Sequence, residues 1–352
     1  MDYIAPPWLP GGHAQTIYAA LAAPRPHVAY RRERWDTPDG DFIDLDWAVN
    51  PARCWRRVDL TDWSEGTRHP ACNESSNPGI REPTTAPLVV LFHGLEGSSR
   101  SHYALALMHA IRVRGWRGVA IHFRGCSGEV NRRPRAYHSG DSAEIDWILR
   151  RLRRQHAAAP LHAVGVSLGG NALLKWLGET GASARELVDR AAAASAPVDL
   201  MAAGAALDQG FNLIYVQHFL ATMKRKSLAK LRHFPGLFDE TKVRAAHTLR
   251  TFDNLVTAPL HGFAGVDDYW TRASSKPLLR HIAVPTLLVN ARNDPFLPCG
   301  ALPAPHEVAP PVLLEQPESG GHAGFVSGPF PGNLGWLPQR ILKFFDAQDE
   351  TT

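Results

Sequence analysis

The stretch that most constrains this chain is Leu161-His162-Ala163-Val164-Gly165-Val166-Ser167-Leu168-Gly169-Gly170-Asn171. An apolar run enters a Gly-x-Ser-x-Gly pentapeptide, Gly165 to Gly169, and a helical pattern from Ala172 to Glu179 leaves it. Strand, sharp turn and helix with Ser at the turn is the setting of a nucleophile elbow, which lifts a hydroxyl clear of a sheet. Flanking glycines allow backbone approaches that a β-carbon would block. The Leu168 amide then falls at a helix N-terminus, where N–H groups have no intrahelical partner. A glycine-rich loop that holds Ser by chance fits the same five residues, so the rest of the chain decides.

The surroundings alternate between strand and helix patterns. Apolar strands are expected at 88–92, 118–123, 190–195, 282–290 and 311–316. Helices are expected over 103–113, 338–347 and 141–155, the last with Ile145, Ile148, Leu149 and Leu152 at helical spacing. This order predicts an α/β fold: a mostly parallel central sheet covered by helices on both faces. Ahead of it, Arg34 to Thr37 and Phe42 to Trp47 alternate around Pro38-Asp39-Gly40-Asp41, a hairpin signal.

The alternation stops between residues 201 and 275, where a helix over 211–226 and further helical segments replace the strands. An all-helical insertion between core strands has the shape of a lid. The core is therefore expected in residues 1–200 and 276–352, with the lid in 201–275. Residues 51–86 are polar and aperiodic and read as a surface insertion loop. The Pro- and Gly-rich opening, including Trp8 to Ile17, reads as an irregular arm packed on the core.

Composition removes several function classes. A net charge of +4 over 352 residues, with no long basic block, argues against a nucleic-acid partner. Cys54, Cys72, Cys126 and Cys299 lack C-x-x-C spacing and suit free thiols of a reducing compartment. No basic-plus-apolar leader and no apolar run of about 18 residues is present, so a cytoplasmic protein without a transmembrane segment is expected. No His/Asp cluster has metal-ligand spacing, and no cofactor is called for. Met223-Lys224-Arg225-Lys226 reads as a solvated helix end, with transient contact to an anionic headgroup or membrane surface as the alternative.

Ligands of open parallel sheets bind beyond the carboxyl ends of the strands. Just after strands lie His93-Gly94-Leu95, Arg124-Gly125, Ser167, Asp294 and His322. Ser167, Asp294 and His322 are a nucleophile, an acid and a base in the chain order of the α/β-hydrolases. A serine hydroxyl needs a histidine to take its proton, and the histidine needs a carboxylate to fix its tautomer. An oxyanion hole needs amides aimed at the developing charge, and Leu95 and Leu168 are the candidates. His93 reads as a buttress of the Leu95 loop rather than a base, and Arg124 as an organiser of a buried loop. No histidine partner is suggested for Cys126 in its stretch of sequence, so it reads as a poor nucleophile. On the lid helix, Phe211, Leu213, Ile214, Tyr215, Phe219 and Leu220 fit either an acyl pocket or plain core packing.

Seven stretches together resemble a known group. They are His13 to Ile17, Asp39 to Phe42, His93 to Gly97, Arg124 to Gly128, Gly165 to Asn171, Asn293 to Phe296 and Gly320 to Phe325. From Trp8 onward the chain resembles the YheT-like branch of the α/β-hydrolase superfamily, whose eukaryotic relatives include acylglycerol and phospholipid hydrolases. The resemblance implies Ser167, Asp294 and His322 as charge-relay residues and carboxylic-ester hydrolysis as the activity. It does not settle the substrate, and residues 51–86 form a longer loop than the family usually has. The expectation is a cofactor-free serine esterase acting on a small-molecule ester or lipid. Transfer of the acyl group to an alcohol or thiol, or a binding module without turnover, are the competing readings.

Overall fold

The computed structural model describes residues 2–49 and 85–347. The expected insertion loop falls almost entirely outside the described residues. Eight strands form one sheet in the order β1-β2-β4-β3-β5-β6-β7-β8. They are β1 (Ala29–Asp36), β2 (Phe42–Val49), β3 (Leu88–Phe92), β4 (Arg117–His122), β5 (Leu161–Val166), β6 (Arg190–Ala194), β7 (Thr286–Val289) and β8 (Val312–Glu315). The β1–β2 hairpin pairs antiparallel with β4, and all later pairings are parallel.

The central strands are mostly apolar because both of their faces are covered. Side chains alternate across a strand. Leu88, Val90 and Phe92 of β3 enter one core cluster, and Val89 and Leu91 enter the other. The alanines of β6 divide in the same way, with Ala191 and Ala193 on one face and Ala192 and Ala194 on the other. Helices α3 (Ser142–Gln155) and α4 (Leu168–Thr180) cover the first face. Helix α2 (His102–Val113) and the closing helix (Trp336–Asp346) cover the second. Each large side chain buried this way contributes about 1.5–3 kcal/mol.

Helix α1 (Gly12–Leu21) departs from the irregular arm expected there. The Pro and Gly residues read as helix breakers, but Gly12 is set by packing: a β-carbon on it would lie 1.8 Å from the Asn293 carbonyl oxygen. The run from His13 to Leu21 contains no further Gly or Pro and continues the helix.

Between β6 and β7 the described chain is helical, as the pattern predicts. It runs through α5 (Leu200–Leu207), α6 (Leu213–His233), short helical segments and a helix at Val266–Ala273. These share their own apolar cluster, which includes Val216, Leu220, Phe252, Val256 and Trp270. Helix α6 is longer than expected, so Met223 to Lys226 lie in its interior and not at a solvated end. Helical periodicity turns Lys226 and Lys230 inward, where Lys230 is held by the Asn131 side chain and the Arg133 and Arg135 carbonyls. Among the described residues no helix is long and apolar enough to cross a membrane.

Candidate active site

Ser167 sits between β5 and α4 with φ 54° and ψ −123°, a left-handed conformation that costs a non-glycine residue energy. Its amide donates to the Ala194 carbonyl at 2.9 Å, which pins the turn to β6. Close packing forces the adjacent glycine: a β-carbon on Gly169 would lie 2.4 Å from the Phe92 carbonyl oxygen and 2.5 Å from that of His93. The elbow is thus wedged against the end of β3, the strand that leads to Leu95.

His322 and Asp294 converge on this serine from loops after β8 and β7. The His322 Nε2 lies 2.9 Å from Ser167 Oγ, and Nδ1 lies 2.8 Å from Asp294 Oδ2. A carboxylate has no proton to give, so Nδ1–H donates to Asp294 and the Ser167 hydroxyl donates to Nε2. The Asp294 side chain is fully buried and that of His322 is 11 % exposed. Asp294 also accepts from the Phe296 amide at 2.8 Å, and the Phe296 ring lies 4.2 Å from the imidazole, centroid to centroid.

The loops that carry acid and base are fixed by residues to which the sequence reading gave no role. Thr16 Oγ1 accepts from the His322 amide at 2.8 Å. Gln15 Oε1 accepts from the Gly320 amide at 2.8 Å and from Asn293 Nδ2 at 3.1 Å. Ser195 Oγ accepts from the Ala323 amide at 2.9 Å, and His102 Nε2–H donates to the Ala323 carbonyl at 2.8 Å. Burial holds His102 neutral, with its pKa lowered to about 4. Two polar residues at adjacent positions in the apolar stretch before Ile17 were the available signal.

The residues expected to supply oxyanion amides border the same cavity as the serine. Leu95, Ser167 and Leu168 line one cavity of about 490 Å³ together with Leu207, Phe219, Trp270 and Phe296. Among the described residues, neither the Leu95 nor the Leu168 amide donates to a loop carbonyl or a side chain. His93 behaves as a buttress. Its Nδ1–H donates to the Gly94 carbonyl at 2.7 Å and its Nε2 accepts from the Phe123 amide at 3.2 Å. Burial drives its pKa down to about 3, so it stays neutral.

Arg124 organises the loop after β4. It bonds to Asp39, Asp41 and Glu144 with little exposure of any but Asp39. Burial pushes the Cys126 thiol up to about 11, which leaves it a poor nucleophile. No group of three or more His, Cys, Asp or Glu able to hold a metal occurs among the described residues.

The family model of the alpha/beta hydrolase fold matches residues 87–329. The chain is 37% identical to YheT of Escherichia coli K12, provisionally named an esterase, across 94% of this chain and 88% of that protein. It is 30% identical to the human phospholipase ABHD3 over 97% of this chain and 78% of the other. With the monoacylglycerol lipase of Saccharomyces cerevisiae it shares 28% identity over 98% of this chain and 80% of that one. Among solved structures it resembles an esterase of Pyrococcus furiosus, with a TM-score of 0.52 at 14% identity over 92% of this chain and 96% of that one. At that identity the likeness speaks for the fold alone. Sheet order, elbow and matched stretches agree, and the chain belongs to the alpha/beta-hydrolase fold family.

Proposed function

We propose that this chain is a carboxylic-ester hydrolase that works through an acyl-enzyme on Ser167. The observation that carries the reading is the continuous relay from Ser167 Oγ through His322 to a fully buried Asp294 carboxylate. Ser167 Oγ attacks the acyl carbon while His322 Nε2 takes its proton. Asp294 keeps the imidazole in the tautomer that can do so and stabilises the imidazolium that forms. The Leu95 and Leu168 amides hold the oxyanion of the tetrahedral intermediate. Its collapse expels the alkoxide, which takes the proton from His322. Water, activated by the same imidazole, then releases the acid.

Residues 201–275 act in this reading as a lid on a core formed by residues 1–200 and 276–352. They supply Leu207, Phe219, Val256, Leu260 and Trp270 to the cavity wall above Ser167. That apolar wall favours an acyl chain, and the relatives named phospholipase and monoacylglycerol lipase favour a lipid-like ester. The test is hydrolysis of p-nitrophenyl esters of increasing chain length, then of monoacylglycerols and phospholipids, by wild type and Ser167→Ala. Turnover of medium or long acyl esters that vanishes in Ser167→Ala is expected. Equal turnover by both proteins would end the reading.

A further inference from the structure

Glu96, the residue after Leu95, is held from two directions. Its backbone sits at φ 55°, in the left-handed region that favours glycine. Its amide donates to Tyr137 Oη at 2.9 Å, and that hydroxyl donates back to Glu96 Oε1 at 2.8 Å. From helix α6, Lys226 Nζ donates to the same Oε1 at 2.9 Å. The Glu96 side chain is 8 % exposed and that of Lys226 31 %, so this ion pair is screened less than a surface pair. Leu95 itself packs against both the sheet core and the apolar cluster of the helical segment.

We propose that Lys226 is a positioning residue that, through Glu96, aligns the Leu95 amide with the oxyanion only while helix α6 is seated over the cavity. The inference rests on reading Leu95 as an oxyanion donor. Tyr137 and Lys226 both donate to Glu96 Oε1, and together they hold a backbone angle that Glu would otherwise leave. Relaxation of that angle swings the Leu95–Glu96 peptide, and the shift passes through the Leu95 Cα to the Gly94–Leu95 peptide, which carries the Leu95 N–H. Displacements near 1 Å in a preorganised site cost on the order of 100-fold in rate. Removal of one oxyanion donor costs on the order of 100- to 1,000-fold. Losing Lys226 loosens the donor without removing it, so the effect is smaller.

The experiment compares wild type, Lys226→Met, Lys226→Arg, Glu96→Gln and Ser167→Ala on one p-nitrophenyl ester. A trifluoromethyl ketone with the same acyl chain serves as a mimic of the tetrahedral oxyanion. Lys224→Met, on the same helix but outside the cavity lining, controls for lost positive charge. Lys226→Met is expected to lower kcat about 10-fold and weaken the ketone by the same factor, with KM nearly unchanged, because only the oxyanion contact is touched. Lys226→Arg restores most of both, Lys224→Met matches wild type, and Glu96→Gln repeats the kcat-selective loss if Lys226→Met does not fold. An unchanged kcat, or a raised KM with kcat intact, overturns the proposal and leaves Lys226 as wall. Hydrolysis that survives in Ser167→Ala overturns the acyl-enzyme reading instead, so the two failures are distinguishable.

Discussion

Thr16 Oγ1 accepts the backbone N–H of His322, a residue 306 positions away, at 2.8 Å. The first helix of the chain therefore holds the loop of the candidate base, and the same hydroxyl donates to the Gly12 carbonyl at 2.7 Å. Gln15, one residue earlier, grips the neighbouring Gly320 amide. The N-terminal segment is part of the site although it contributes no reacting atom.

Thr16→Val keeps the side-chain shape and removes the acceptor. An amide left without a partner in a buried place costs about 1–3 kcal/mol. The expected result is a loss of stability in that range together with a fall in kcat of roughly 10-fold, since the imidazole loses its fixed position. Kinetics and a urea melt on the same preparation check both. Full kcat in a folded Thr16→Val would show that the Thr16 bond does not position the base.

Asp294→Asn preserves size and replaces the acceptor of the His322 Nδ1–H with a group that can favour the wrong tautomer. A loss of about 10⁴-fold in kcat is expected, with the fold intact. A kcat within 10-fold of wild type would remove Asp294 from the relay.

Acid lability follows from the buried histidines. Burial lowers His93 to about 3 and His102, His138 and His162 to about 4. Below the ordinary histidine value near 6.5 the unfolded chain takes up these protons and the folded chain does not, so stability falls with pH from there until the folded groups titrate. Asp253 and Glu144, which burial raises to about 6 and about 7, take protons in the folded state and act in the opposite sense. Four histidines against two carboxyls leave a net of roughly two protons, or about 3 kcal/mol lost per pH unit near pH 5.5. Urea midpoints measured at pH 7, 6 and 5 check this. A midpoint that stays constant or rises toward pH 5 contradicts it.

The elbow, the strands around it and the positions of Asp294 and His322 were legible because each is written locally. Apolar runs flanked by Gly announce doubly covered strands, and the chemistry-bearing residues follow their carboxyl ends. Helix α1 was hidden for the opposite reason. Gly12 reads as a breaker, and its cause is the Asn293 backbone 281 positions away in sequence, which no window can see. The inward turn of Lys226 was hidden by its charge. A Lys in a basic run normally faces solvent, and only the fold supplies Glu96 as its partner. What sequence pattern misses here is contact between distant segments, and such contacts orient the site.

The central claim is that Ser167 is the nucleophile and His322 activates it. Its most direct test is labelling of the purified protein with a fluorophosphonate, with the modified residue located by peptide mass spectrometry. The account predicts stoichiometric modification of Ser167 in wild type, slow modification in His322→Ala and none in Ser167→Ala. No labelling of folded wild type, or equal labelling of Ser167→Ala, would contradict it.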